Sequence, residues 1–108
     1  MIRFDELETK ALSNFHGGDG DILAKVFADD THRIIKSIYA PGVSTGYHLH
    51  DFSDEIILIL EGTCKVVHEG KEERLNVGDC SYCKKGESHA VINDGEEDLV
   101  MFAVVTNL

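Results

Sequence analysis

The chain has no tryptophan, a single proline and only ten basic side chains against twenty acidic ones. Each shortage excludes something. A formal net charge of −10 argues against nucleic acid and anionic membrane as partners, because gripping phosphates takes clustered Lys and Arg. The mixed-sign run EGKEER (69–74) reads as a solvated turn. No apolar run approaches the ~20 residues of a membrane helix. The N-terminal MIRFDELETKAL is acidic, where a secretory leader is basic and then apolar, so the expected location is cytoplasmic. With Pro41 as the one proline, little blocks strand pairing.

Cysteine is scarce too. Cys64, Cys80 and Cys83 are an odd set, and reduced thiols are the default in the cytosol. Cys80 and Cys83 have C-x-x-C spacing. On a strand, residues three apart face opposite ways, so this pair cannot share a metal and reads as packed thiols.

What is present is short apolar segments with regular punctuation. Residues 1–20 form a lead-in in which Leu7, Ala11, Leu12 and Phe15 have helix-like spacing. They predict a short N-terminal helix ended by HGGDG (16–20). Residues 21–108 read as one barrel domain. DILAKVFA, HRIIKSIYA, EIILILEG, TCKVVHEG, CSYC, HAVIN and LVMFAVVTN are separated by Gly, Asp and Asn turns, which is the pattern of an all-β sandwich or barrel. A chain of 108 residues builds one core.

Two segments are apolar on both faces. Glu55, Ile57 and Ile59 alternate with Ile56, Leu58 and Leu60, and the last strand behaves in the same way. A half-exposed antiparallel strand should alternate apolar with polar. The second face therefore needs a cover, and a chain this small has little left to supply one. A homodimer is expected.

GYHLHDFSDEIILILEG (46–62) puts two histidines and a glutamate against an apolar run. On a strand, His48 and His50 project to one side about 6.5 Å apart and can converge on one ion. Glu55 opens the return strand. Two imidazoles and a carboxylate suit a divalent first-row metal with open positions. The alternative is a packing accident, which burial beside IILIL disfavours because buried polar groups need partners.

GVSTGYHLHDFSDEIILILEG (42–62) resembles the first cupin motif, with Gly42, His48, His50, Glu55 and Gly62 at its fixed positions. GDCSYCKKGESHAVIN (78–93) resembles the second, through Gly78, Gly86, His89 and Asn93; Lys84 stands where that motif has proline. The resemblance implies a double-stranded β-helix, or jelly-roll barrel. It also implies a metal site of His48, His50, Glu55 and His89, holding one divalent ion of manganese, iron, nickel, cobalt or zinc.

Strand parity proposes the walls of a pocket: Ile57 and Ile59 beside Glu55, Val91 beside His89, Met101 (or Phe102) from the last strand, and Phe52 and Tyr82 at the rim. Asp51 and Asp54 are either turn residues or acid–base groups. His16, His32 and His68 lie outside the motifs and read as surface or locally bonded. The implied function is a metal-dependent enzyme on a small oxygen-rich carboxylate or sugar derivative, of decarboxylase, isomerase or dioxygenase type. The alternative is a non-catalytic module that binds metal or a small ligand.

Overall fold

In the computed structural model, which describes residues 1–107, ten strands form two antiparallel sheets. They are β1 (Lys10–Ser13), β2 (Asp21–Ala28), β3 (His32–Tyr39), β4 (His48–Leu49), β5 (Ser53–Glu61), β6 (Cys64–His68), β7 (Lys71–Leu75), β8 (Cys80–Cys83), β9 (Ser88–Ile92) and β10 (Leu99–Asn107). The larger sheet has the order β1-β2-β3-β10-β5-β8 and the smaller β4-β9-β6-β7. Their inner faces share one core: Ile22, Tyr39, Ile57, Ile59, Leu99 and Met101 from the first meet Cys64, Val66, Leu75 and Val91 from the second. This is the expected all-β jelly-roll, or double-stranded β-helix. No helix is long and apolar enough to cross a membrane among the described residues.

The turns use glycine where the chain demands it. Gly62 joins β5 to β6 with φ +84, and a Cβ there would sit 2.6 Å from the Asp98 carbonyl oxygen. No other residue fits both constraints.

The lead-in differs from the helix its spacing predicts. Lys10–Ser13 is a strand, with Leu12 opposite Ile22. The only helical turns among the described residues are three-residue 3-10 turns, Phe4–Glu6 and Phe15–Gly17. A helix this short nucleates poorly, while the edge of β2 offers ready backbone partners. Leu12 packs against the core, so the lead-in adds a strand to the larger sheet.

Parity on β5 puts Glu55, Ile57 and Ile59 inward. Ile56 (45% exposed) and Leu60 (37%) point out, joined on the same sheet by Leu23, Phe27, Ile38 and Tyr82. Phe4 reaches over part of this outer face, edge-on to Phe102 at 6.2 Å.

Candidate metal centre

The two sheets deliver the donors from opposite sides of one end of the barrel. In the smaller sheet β4 pairs with β9 so that His48 lies opposite His89, with ring centroids 4.7 Å apart. His50 follows β4, held by its N–H donating to the Glu87 carbonyl (2.9 Å) and its own carbonyl accepting from Gly86 N–H (2.7 Å). Glu55 comes from β5 in the larger sheet, opposite Val105 and Cys83. One donor atom from each of His48, His50, Glu55 and His89 lies within 4.8 Å of all the others.

Three of the four are tightly grouped. His50 Nε2 is 3.0 Å from His89 Nε2, and Glu55 Oε1 is 3.0 Å from His89 Nε2 and 3.4 Å from His50 Nε2. Metal bonds of about 2.0–2.2 Å place neighbouring ligand atoms about 3.0 Å apart at a right angle and about 3.4 Å apart at a tetrahedral one. The donor set therefore fits a first-row ion. The far sides of the rings fit as well. His48 Nδ1 lies 2.8 Å from the Gly46 carbonyl; a carbonyl only accepts, so Nδ1 carries the proton and Nε2 keeps its lone pair for the centre. Ser53 Oγ lies 2.9 Å from His50 Nδ1 and can accept in the same way. His89 Nδ1 is buried without a hydrogen-bond partner among the described residues. Such an orphan costs roughly 1–3 kcal/mol.

The electrostatics favour the ligating forms. Burial pushes the Glu55 carboxyl up, but in the metal-free site its close contacts with His50 and His89 outweigh it and leave the pKa at about 2; an ion at the centre would take the place of those donors. Burial lowers the His48 pKa to about 4, against a raising contribution from Gly46. At neutral pH one is a carboxylate and the other a neutral imidazole. Burial also lifts the thiols, Cys64 to about 11 and Cys83 to about 12, so neither is a ready nucleophile or ligand.

The centre sits between two spaces. Inward lies a chamber of ≈ 70 Å³ with apolar walls from Leu12, Phe15, Ile22, Ile57, Val91 and Met101, and with His48, Glu55 and His89 also lining it. That is about half the ~150 Å³ of a cavity that takes benzene, so it admits only a few ligand atoms. Outward lies an open cleft of ≈ 380 Å³ bordered by His48, His50, Arg33, Asp51, Phe52 and Asn107.

The structure sorts the residues expected in the pocket wall. Ile57, Val91 and Met101 line the chamber. Ile59 is on the same face of β5 but is buried in the core. Phe52, 75% exposed, borders the outer cleft. Tyr82 is not at the rim: it pairs with outward-facing Ile56 and is 48% exposed on the far side of the sheet. Parity explains this, since Cys83 takes the inward position on β8 and Tyr82 must face out. Asp51 borders the cleft, and Asp54 pairs with Thr106 on β10.

One histidine beside the site, His16, was read as surface or locally bonded. The His16 ring stacks on His48 with centroids 3.9 Å apart and planes 14° off parallel. Nothing in local spacing links positions 16 and 48; the only sign was the glycine-rich turn around His16. Of the other two, His32 contacts Thr31 and Asp29 locally, and His68 contacts Glu87 at 3.1 Å.

A family model described as "Cupin domain" matches residues 36–105. An oxalate-binding protein of Thermotoga maritima is 31% identical over 111 residues, spanning 97% of this chain and 92% of its own length. A pectin degradation protein, KdgF, of Dickeya dadantii is 30% identical over 76 residues, 70% of this chain and 69% of that one. Among solved structures, one described as a predicted oxalate decarboxylase from Thermotoga maritima superposes with a TM-score of 0.93 at 29% identity, covering 100% of this chain and 99% of the other.

Proposed function

The chain belongs to the cupin family, and from that premise we propose a cytoplasmic, metal-dependent enzyme acting on a small oxygen-rich carboxylate or sugar derivative. Its reaction is of decarboxylase, isomerase or dioxygenase type. The observation that carries this reading is four donors within 4.8 Å, set between a small apolar chamber and an open cleft. His48, His50, Glu55 and His89 hold one divalent ion of manganese, iron, nickel, cobalt or zinc, the metals that imidazole and carboxylate ligands suit. When bound, that ion supplies Lewis-acid polarisation of a ligand oxygen.

The protein's own groups do the rest. Glu55 brings one negative charge and the three imidazoles none, so the centre keeps net positive charge and favours an anion. Gly46 and Ser53 orient the rings through their second nitrogens. The apolar wall of Ile57, Val91 and Met101 covers the inner side of the centre and strengthens charge interactions there. The similarity to an oxalate-binding protein supports an acid as ligand, and the similarity to KdgF supports a sugar derivative.

A second reading is a non-catalytic binding module. It is favoured by the chamber lining, where Glu55, one of the four donors, is the only carboxylate among the described residues. One experiment separates the two. Protein loaded with manganese or iron is presented with oxalate, other small carboxylates and sugar acids, following turnover and binding heat together. Turnover that disappears in Glu55→Gln is the expected result; tight binding without turnover across the panel decides for the module.

The outer face of the larger sheet carries the homodimer reading. Leu23, Phe27, Ile38, Ile56, Leu60 and Tyr82 are each more than a third exposed there, and a patch of that kind marks an interface. Light scattering should return twice the 12.0 kDa chain mass, and Ile56→Lys should return one. A wild-type monomer at micromolar concentration contradicts the pairing.

A further inference from the structure

The turn that carries His16 is tied to the metal-site strand by more than ring contact. Phe15–Gly17 is a 3-10 turn in which His16 itself has φ +53, a left-handed conformation uncommon for non-glycine residues other than Asn, Asp and His. Gly46 N–H donates to the Phe15 carbonyl (2.9 Å), and the Gly46 carbonyl faces His48 Nδ1 at 2.8 Å. A Cβ on Gly46 would run into the His16 carbonyl, and one on Gly18 into the Ser44 carbonyl. Asp19 and Ser44 close the seam, backbone N–H to carbonyl (2.9 Å) and N–H to hydroxyl (3.1 Å). The two backbones therefore touch with no side chain between them.

This seam fixes His48 from two directions. The Gly46 carbonyl sets the tautomer and one edge of the ring, and the His16 ring, 3.9 Å away and nearly parallel, blocks rotation on one face. The same turn places Phe15 in the chamber wall. The turn itself, Asn14 to Asp19, lies outside residues 36–105, the part matched by the family model, while Ser44, Gly46 and His48 lie within it.

We propose that the 14–18 turn is a working wall of the metal site. His16 is a positioning residue that holds the His48 imidazole for the ion, and Phe15 sets the largest ligand the chamber admits. The inference rests on the metal reading and deepens it. Ring contacts and second-nitrogen partners of metal-bound histidines matter because a ligand free to rotate pays its ordering entropy on binding. A side chain that closes an apolar chamber excludes larger ligands by steric fit.

The test uses cobalt(II) as the probe, with d–d absorbance reporting affinity and geometry without any turnover. His16→Asn keeps a residue that tolerates the left-handed backbone and removes the stacked ring. His16→Phe keeps a ring. The expected result is cobalt affinity about 10-fold lower or worse in His16→Asn, with an altered spectrum, and recovery to within about threefold in His16→Phe. Equal affinity and spectra in wild type and His16→Asn overturn the positioning role. No cobalt uptake by wild type overturns the metal reading instead, and thermal melts of each variant separate lost folding from lost binding. For Phe15, oxalate, malonate and succinate are titrated into cobalt-loaded wild type and Phe15→Ala. A relative gain for the longer acids in the variant is expected; an unchanged order of affinities overturns the size limit.

Discussion

The two ends of the barrel interior are built from the same strands and hold opposite contents. Along the inner face of β5 the residues run Ser53, Glu55, Ile57, Ile59; along β9 they run His89, Val91; along β6 they run His68, Val66, Cys64. One end is a nest of imidazoles and a carboxylate beside an open cleft. The other is an apolar plug in which Ile59, Cys64, Val66, Leu75 and Leu99 are all buried. The comparison teaches a division of labour. The plug supplies stability through area removed from water. The donor end gathers polar groups that gain little from burial and that a bound ion would compensate. His48 and His89 come from the smaller sheet, His50 from the residue after β4, and Glu55 from the larger sheet, so the centre also bridges the two layers.

That contrast is open to direct attack. The largest effect should come from truncating each end in turn. Ile59→Ala should cost about 2–5 kcal/mol in urea unfolding while leaving metal uptake per folded chain intact. His50→Ala should abolish uptake and change the stability of the metal-free protein far less. If both variants lose the same property, the two ends are not functionally distinct.

Next comes the tie beyond β9. Asn93, fully buried, donates to the Tyr39 and Glu97 carbonyls at 2.8 and 2.9 Å and accepts from Gly95 N–H at 3.0 Å. Asn93→Ala leaves those backbone groups unpaired and should cost roughly 1–3 kcal/mol, measured by the same unfolding curves, with metal uptake retained.

Next in order is an effect of pH, to which the donor end contributes through His48 and Glu55. Between about 4 and the ordinary 6.5 the unfolded chain protonates its counterpart of His48 and the folded chain does not. Stability of the metal-free protein therefore falls as pH drops from 6.5 to 4. Glu55 acts lower: its contribution is complete above the ordinary 4.5 and is lost as pH falls toward about 2. Melting temperature should decline through both windows, and His48→Phe should flatten the upper one. A melting temperature that rises on acidification contradicts the assigned protonation states. The smallest effect is assigned to Tyr82: because its ring faces outward, Tyr82→Ser should leave metal affinity and ligand affinity unchanged, which titration checks.

Much of this was legible in the sequence, and the failures have physical causes. The alternation on β5 and the HxH–Glu spacing are local signals, and they placed Glu55, Ile57, His48 and His50 on the correct faces. His89 is brought to the site by pairing across the sheet; it was named only because the second motif resembles that of cupins. The lead-in failed because helical spacing over so short a segment is a weak signal, and the open edge of β2 takes up Lys10–Ser13 as a strand that holds only Ala11 and Leu12 of the four. Tyr82 failed because β8 is short and its phase is set by Cys83. His16 stayed hidden because its partner is 32 positions away and the seam that joins them runs through backbone atoms of Gly18 and Gly46.

The most direct measurement is the metal content of the protein purified without chelator, by elemental mass spectrometry, beside His89→Ala. The account predicts about one divalent transition ion per wild-type chain and loss of nearly all of it in the variant. Wild-type protein that stays metal-free after exposure to manganese, iron, cobalt, nickel and zinc, or a His89→Ala protein that keeps a full equivalent, contradicts it.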